Sequence, residues 1–99
     1  ELAVDLGMLR DAAWKERAVR IDYVDKAGAA SDRIIWPLAL VYTELTLSVL
    51  AWCCLRRDFR IFRGDRISSA APTGESFRPR RVALLREYMG QLRARERQG

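Results

Sequence analysis

The sequence predicts a mainly β fold with flanking helices, a small five-stranded antiparallel barrel with an N-terminal and a C-terminal helix. Three observations predict it. Five short stretches of strand character, split by turn residues, fall within about 55 residues. Helical spacing of apolar residues occurs only at the two ends. The turns are tight, and so many short strands avoid exposed edges best by curling into a barrel.

The elements follow in order. Leu2, Leu6, Leu9 and Ala13 recur at helical spacing, with Asp5, Arg10, Asp11 and Lys15 opposite, which gives a helix over about 2–16. Val19, Ile21 and Tyr23 alternate with Arg20 and Asp22 as a strand. Asp25 to Gly28 is turn chemistry. A second strand covers Ser31–Trp36, with Ile34 and Trp36 on one face and Arg33 and Ile35 on the other. Pro37 cannot donate to a ladder and marks a strand end, an edge or a bulge. Leu38–Tyr42 reads as extended, and Tyr42-Thr43-Glu44 as a turn. Leu45, Leu47, Val49, Ala51 and Cys53 form one face of a long third strand. Arg57-Asp58 turns into a fourth strand, Phe59–Arg63, and Gly64-Asp65 leads into a short fifth, Ile67–Ala71. Pro72-Thr73-Gly74 and Pro79 bracket a loop. Val82, Leu85, Tyr88, Met89 and Leu92 share one face of a helix over about 79–95, suited either to capping its own barrel or to a dimer seam. The expected organisation is one domain over 1–99, with the barrel over about 18–72. The chain starts at Glu1 and reads as a fragment of something longer.

The net charge is +5, and residues 56–81 carry all of it: eight arginines against Asp58, Asp65 and Glu75. Sixteen of the eighteen basic residues are arginine, whose planar fork matches phosphate and carboxylate. With no histidine, neither a Ser-His-Asp nor a Cys-His mechanism is available. Two cysteines alone cannot close an all-cysteine zinc site, and the scattered glycines form no phosphate loop. The chain is therefore expected not to be an enzyme and to hold no metal or cofactor. Cys53 and Cys54 are sequence neighbours, so an ordinary bridge between them is not expected and a reducing, cytoplasmic setting fits. Cys54 has Arg56 two residues on, which makes it the better of two weak candidates for a reactive thiol. Neither apolar run reaches the about 20 residues of a membrane span.

The most informative stretch is 51–67. It begins as an apolar strand and ends as an arginine ladder, with Arg56, Arg57, Arg60, Arg63 and Arg66 interleaved with Phe59, Ile61, Phe62 and Ile67. Arg60 and Phe62 project from one strand side, Arg66 joins them if the Gly64-Asp65 turn keeps register, and Arg63 lies at the turn rim. The ladder suits an anion that accepts several guanidinium bonds. The plainer reading pairs these arginines with Asp58, Asp65 or Glu44, at about 0–1 kcal/mol per exposed pair.

Four blocks carry a resemblance: Arg20-Ile-Asp-Tyr23, Arg33-Ile-Ile-Trp-Pro-Leu38, Leu50-Ala-Trp-Cys53, and Asp58-Phe-Arg-Ile-Phe-Arg-Gly-Asp-Arg-Ile67. In that order and spacing, over about residues 11–72, the chain resembles the WYL domain. That is an Sm/SH3-like barrel of bacterial transcription regulators, found behind an N-terminal winged helix-turn-helix as in the YafY-type, DeoR-like proteins. The tripeptide that names the family falls here at Leu47-Ser48-Val49, without its Trp and Tyr, and Gly64 stands where the family usually has a larger apolar residue. The resemblance implies an effector-sensing regulatory domain whose DNA-binding domain lies outside these residues. It implies a nucleotide or single-stranded nucleic acid as ligand, with Tyr23, Arg33, Arg60, Phe62, Arg63 and Arg66 as ligand-binding candidates. The helix-turn-helix domain of the full-length protein is the implied protein partner, and the C-terminal helix face leaves a second copy of the chain as a further candidate. The alternative is an interaction or oligomerisation domain that takes no small ligand.

Overall fold

The structure, a computed structural model, describes residues 4–43 and 46–98. Leu2, Glu44 and Leu45 of the expectations above lie outside the described residues. The order is α1 (Leu6–Lys15), β1 (Arg17–Val24), β2 (Ala30–Thr43), β3 (Thr46–Cys53), β4 (Asp58–Arg63), a 3-10 turn at Gly64–Arg66, β5 (Ile67–Ser76) and α2 (Arg81–Gln98). Asp5 caps α1 by accepting the Gly7 N–H at 2.8 Å, and Glu16 ends the helix in the left-handed region at φ 58°.

The strands form one antiparallel sheet in the order β4-β3-β2-β1-β5. The expected class, five antiparallel strands with a helix at each end, is what the chain adopts. Closure into a barrel is not: β4 and β5 are the two edges of an open sheet. The 3-10 turn at Gly64–Arg66 carries the chain from one edge to the other, and a side chain makes a contact across the concavity instead. The Tyr23 hydroxyl of β1 accepts the Arg63 N–H of β4 at 3.1 Å. Tyr23→Phe deletes this bond and is expected to cost about 1 kcal/mol, which lowers the melting temperature of a domain this size by about 4–8 °C. A melt that superimposes on the parent's would show that the bond contributes nothing.

Three boundaries also differ from expectation. β2 runs through Pro37 to Thr43, because a register shift between Pro37 and Ala39 absorbs the proline as a bulge. β5 runs on through Pro72 and Gly74 to Ser76, which an edge strand tolerates, since one side of its ladder is free. α2 begins at Arg81, and Arg81 Nε donates to the Leu38 carbonyl at 2.8 Å, at the β2 bulge.

Both faces of the sheet are covered. On the concave face, Leu6, Leu9 and Ala12 of α1 meet Val19, Ile21, Ile35, Val49, Phe62 and Ile67. On the outer face, Leu38, Leu50, Phe59 and Phe77 meet Tyr88 of α2, with Leu84, Leu85 and Leu92 partly buried beside them. α2 thus packs on its own sheet. Its buried stripe is rotated from the expected one, since Leu84 is in contact while Val82 and Met89 are exposed. Five rings run in sequence over this layer, Phe77–Trp36–Trp52–Phe59–Tyr88, with successive centroids 5.3, 6.4, 5.2 and 4.8 Å apart.

Candidate functional site

Phe62 organises the candidate site. It is the largest side chain shut off completely from solvent, and it projects from β4 into the concave face. Tyr23 meets it edge-on, with centroids 5.0 Å apart at 86°. Two guanidiniums lie over the same ring, Arg33 at 5.9 Å and Arg60 at 5.7 Å from its centroid. The negative face of the π system attracts both cations.

Arg33 is the unusual one. It is only 6% exposed, and its donors meet neutral groups: Nε donates to Ser31 Oγ at 3.1 Å, and Nη1 to Cys53 Sγ at 3.5 Å. Among the described residues no carboxylate pairs with it or with Arg60. A buried cation without a counter-anion carries a desolvation penalty that neutral partners offset only in part. The β2–β3 register pairs Ile35 with Cys53, which brings the sulfur to within reach of Arg33 two residues along. Nothing in the sequence announces that register; Ser31 is not among the sequence candidates, and Cys53 is one only as a reactive thiol, not as part of this cluster.

Arg63 adjoins the cluster through its backbone bond to Tyr23, while its guanidinium makes a two-pronged bond to Asp65 at 3.1 and 2.8 Å. That bond holds the Asp65 carboxyl below the usual carboxylate range; burial opposes it, and the charges of Arg63 and Arg66 add to it. Arg66 stands apart. The 3-10 turn breaks the strand register, so Arg66 lines a hollow of about 380 Å³ beside Val24, Lys26 and Gly28 of the β1–β2 hairpin. The structure therefore gathers Tyr23, Arg33, Arg60 and Phe62, attaches Arg63 at the margin and leaves Arg66 outside.

Arg20 and Asp32, cross-strand neighbours, form an exposed bidentate pair with Nε at 2.9 and 3.0 Å from the two oxygens. The paired guanidinium lowers the Asp32 pKa. Cys54 opens the β3–β4 turn, so Arg56 does not share a strand face with it. Burial, then Cys53, then Glu75 push its thiol up, the opposite of an activated thiolate. Among the described residues no helix is long and apolar enough to cross a membrane.

Comparison with known proteins agrees with this geometry. A solved structure, proteasome accessory factor B/C (PafBC) of Arthrobacter aurescens, is similar with a TM-score of 0.69 at 25% identity. The match covers 79% of this chain and 12% of that one. No curated protein matches the sequence significantly. The family model of the WYL domain matches residues 5–72, from the cap of α1 to the middle of β5 and including every candidate residue above, so the chain belongs to the WYL domain family.

Proposed function

We propose that this WYL domain is the effector-sensing, non-enzymatic regulatory part of a cytoplasmic bacterial transcription regulator of the YafY type. It binds a phosphate-bearing ligand, a nucleotide or single-stranded nucleic acid, and its helix-turn-helix lies elsewhere in the full protein. The match to 12% of a much longer chain supports a domain that works as one part of a larger protein. The observation that carries the reading is the pair of guanidiniums over one buried ring, with neither of them ion-paired among the described residues. A phosphate supplies the missing charge and accepts bidentate bonds. Arg60, half-buried, is the group such a ligand meets first; Arg33 lies deeper, Tyr23 and Phe62 hold the pair in place, Arg63 borders the site with its charge held by Asp65, and Arg66 adds a cation beyond the turn.

The test is binding of a labelled single-stranded oligothymidylate followed by anisotropy across a salt series. Affinity should fall steeply with salt, as condensed counterions are released. Arg60→Ala should weaken binding about tenfold and flatten the salt slope by about 0.7 for one lost phosphate contact. Its melting temperature should stay near the parent's, because no hydrogen bond or ion pair holds this side chain among the described residues. A folded Arg60→Ala that binds as before places the site elsewhere, and one that unfolds makes the residue structural.

A further inference from the structure

A second built cleft lies on the opposite face of the sheet. It has a volume of about 600 Å³ and opens between the β2–β3 ladder and the start of α2. Trp36 and Trp52, directly opposed across that ladder, form its floor, their rings tilted 31° to one another. Each has a further aromatic partner of its own. Phe77 stacks parallel to Trp36, at 7°, and Phe59 meets Trp52 edge-on, at 81°. Of the five rings in this layer, Phe77, Phe59 and Tyr88 are buried, while the two tryptophans remain half-exposed at the cleft. The two tryptophans thus form an aromatic platform with part of its surface facing the cleft.

The rim is cationic. Arg57 comes from the β3–β4 turn and Arg80 from the residue before α2, and among the described residues neither is ion-paired. Arg80 stands 5.7 Å from the Trp36 centroid. Glu87 lines the α2 side, which leaves an excess of one positive charge, and the Cys54 thiol adds none of either sign. Arg57 also has a φ of 55°, a conformation that favours glycine or asparagine. Glycine would close this turn with less strain, but it would bring no guanidinium to the cleft.

We propose that this cleft binds a small planar aromatic acid, its ring against Trp36 and Trp52 and its carboxylate on Arg57 and Arg80. The volume accommodates one or two fused rings, stacking supplies ring affinity without reading substituents, and the planar guanidinium fork matches a carboxylate. This site shares no residue with the Phe62 cluster and stands whether or not that cluster binds phosphate.

The chain contains three tryptophans, and Trp14 lines a different cavity beside Arg10 and Arg81, so it serves as an internal control. The experiment follows the three indole N–H signals by nitrogen-15 NMR while indole-3-carboxylate is added, with indole-3-carboxamide as the neutral match. The Trp36 and Trp52 signals should shift saturably with the acid while Trp14 stays put. The amide should bind at least tenfold more weakly. Arg57→Gly should melt no lower than the parent yet lose at least fivefold in affinity for the acid. Saturating oligothymidylate should leave the titration unchanged. The proposal is overturned if the acid gives no saturable shift at Trp36 and Trp52, if acid and amide bind alike, or if Arg57→Gly binds as the parent does.

Discussion

Gly64→Ala is expected to be strongly destabilising, although the residue lies in no positive-φ turn and glycine's freedom there is not the reason. A β-carbon built on Gly64 would sit 2.5 Å from the Leu47 carbonyl oxygen of β3 and 2.6 Å from Leu6 Cδ1 of α1. The leucine terminus can rotate away, but the carbonyl belongs to the β3 backbone. The 3-10 turn would have to lift off β3, and Leu6 would lose part of its place in the concave core. Overpacking of this kind costs about 1–3 kcal/mol, and a backbone obstacle puts it at the upper end. A fall in melting temperature of about 10–20 °C follows. Gly90→Ala is the matched control: it lies inside α2 with open space where the β-carbon would go, and should stabilise by about 0.5–1 kcal/mol. Equal melting of Gly64→Ala and the parent would show that the turn does not press on β3 as described. The close approach also bears on a departure from the family pattern, since the backbone of β3 and the side chain of Leu6 occupy the space a larger apolar residue at 64 would need.

How much of this could be read beforehand depended on how local each feature is. The alternation of Val19, Ile21 and Tyr23 is set within one strand, and all three are buried in β1, with Ala18 beside them. Arg60 and Phe62 are two residues apart, so their common face followed from the period of a strand, and the structure puts the one over the ring of the other. A missing N–H at Pro37 announced a strand end, an edge or a bulge, and the β2–β3 register shows it is a bulge. In β2, Arg33 and Ile35 were separable from Ile34 and Trp36, but not which pair faces the concave core, because both faces of this sheet are covered and both carry large apolar residues. The answer is that Ile35 is buried with Arg33, while Ile34 is 45% exposed. Closure failed for a non-local reason. Whether β4 meets β5 depends on how far the whole sheet curls, and the 3-10 turn and a hydroxyl bond made continuous pairing unnecessary. The contact of Cys53 with Arg33 likewise rests on an inter-strand register that no single segment encodes.

The burial of Arg33 yields the sharpest separation of structure from function. Exposed arginines can be deleted with little effect on folding, but Arg33 is not exposed. Its guanidinium sits among Ser31 Oγ, Cys53 Sγ and the Phe62 ring, all neutral. The cation–π contact contributes about 0.5–2 kcal/mol and each neutral hydrogen bond about 0.5–1.5, against several kcal/mol for withdrawing the charge from water. A methionine of similar length fills the same slot without that penalty, and its flexible thioether can lie against the ring. Arg33→Met is therefore expected to fold at least as stably as the parent, with a gain of about 1–2 kcal/mol. Its affinity for the single-stranded oligonucleotide should drop by about 10- to 100-fold, as one charge-assisted contact of about 1.5–3 kcal/mol is lost. Arg33→Ala should fall on the other side, losing binding and stability together, because it leaves a cavity under Phe62. The stability measurement is a denaturant titration, read at constant slope so that the midpoint reports stability alone. An Arg33→Met variant that is less stable and binds as before would make the buried guanidinium a structural post, and the ligand would then have to meet the domain elsewhere.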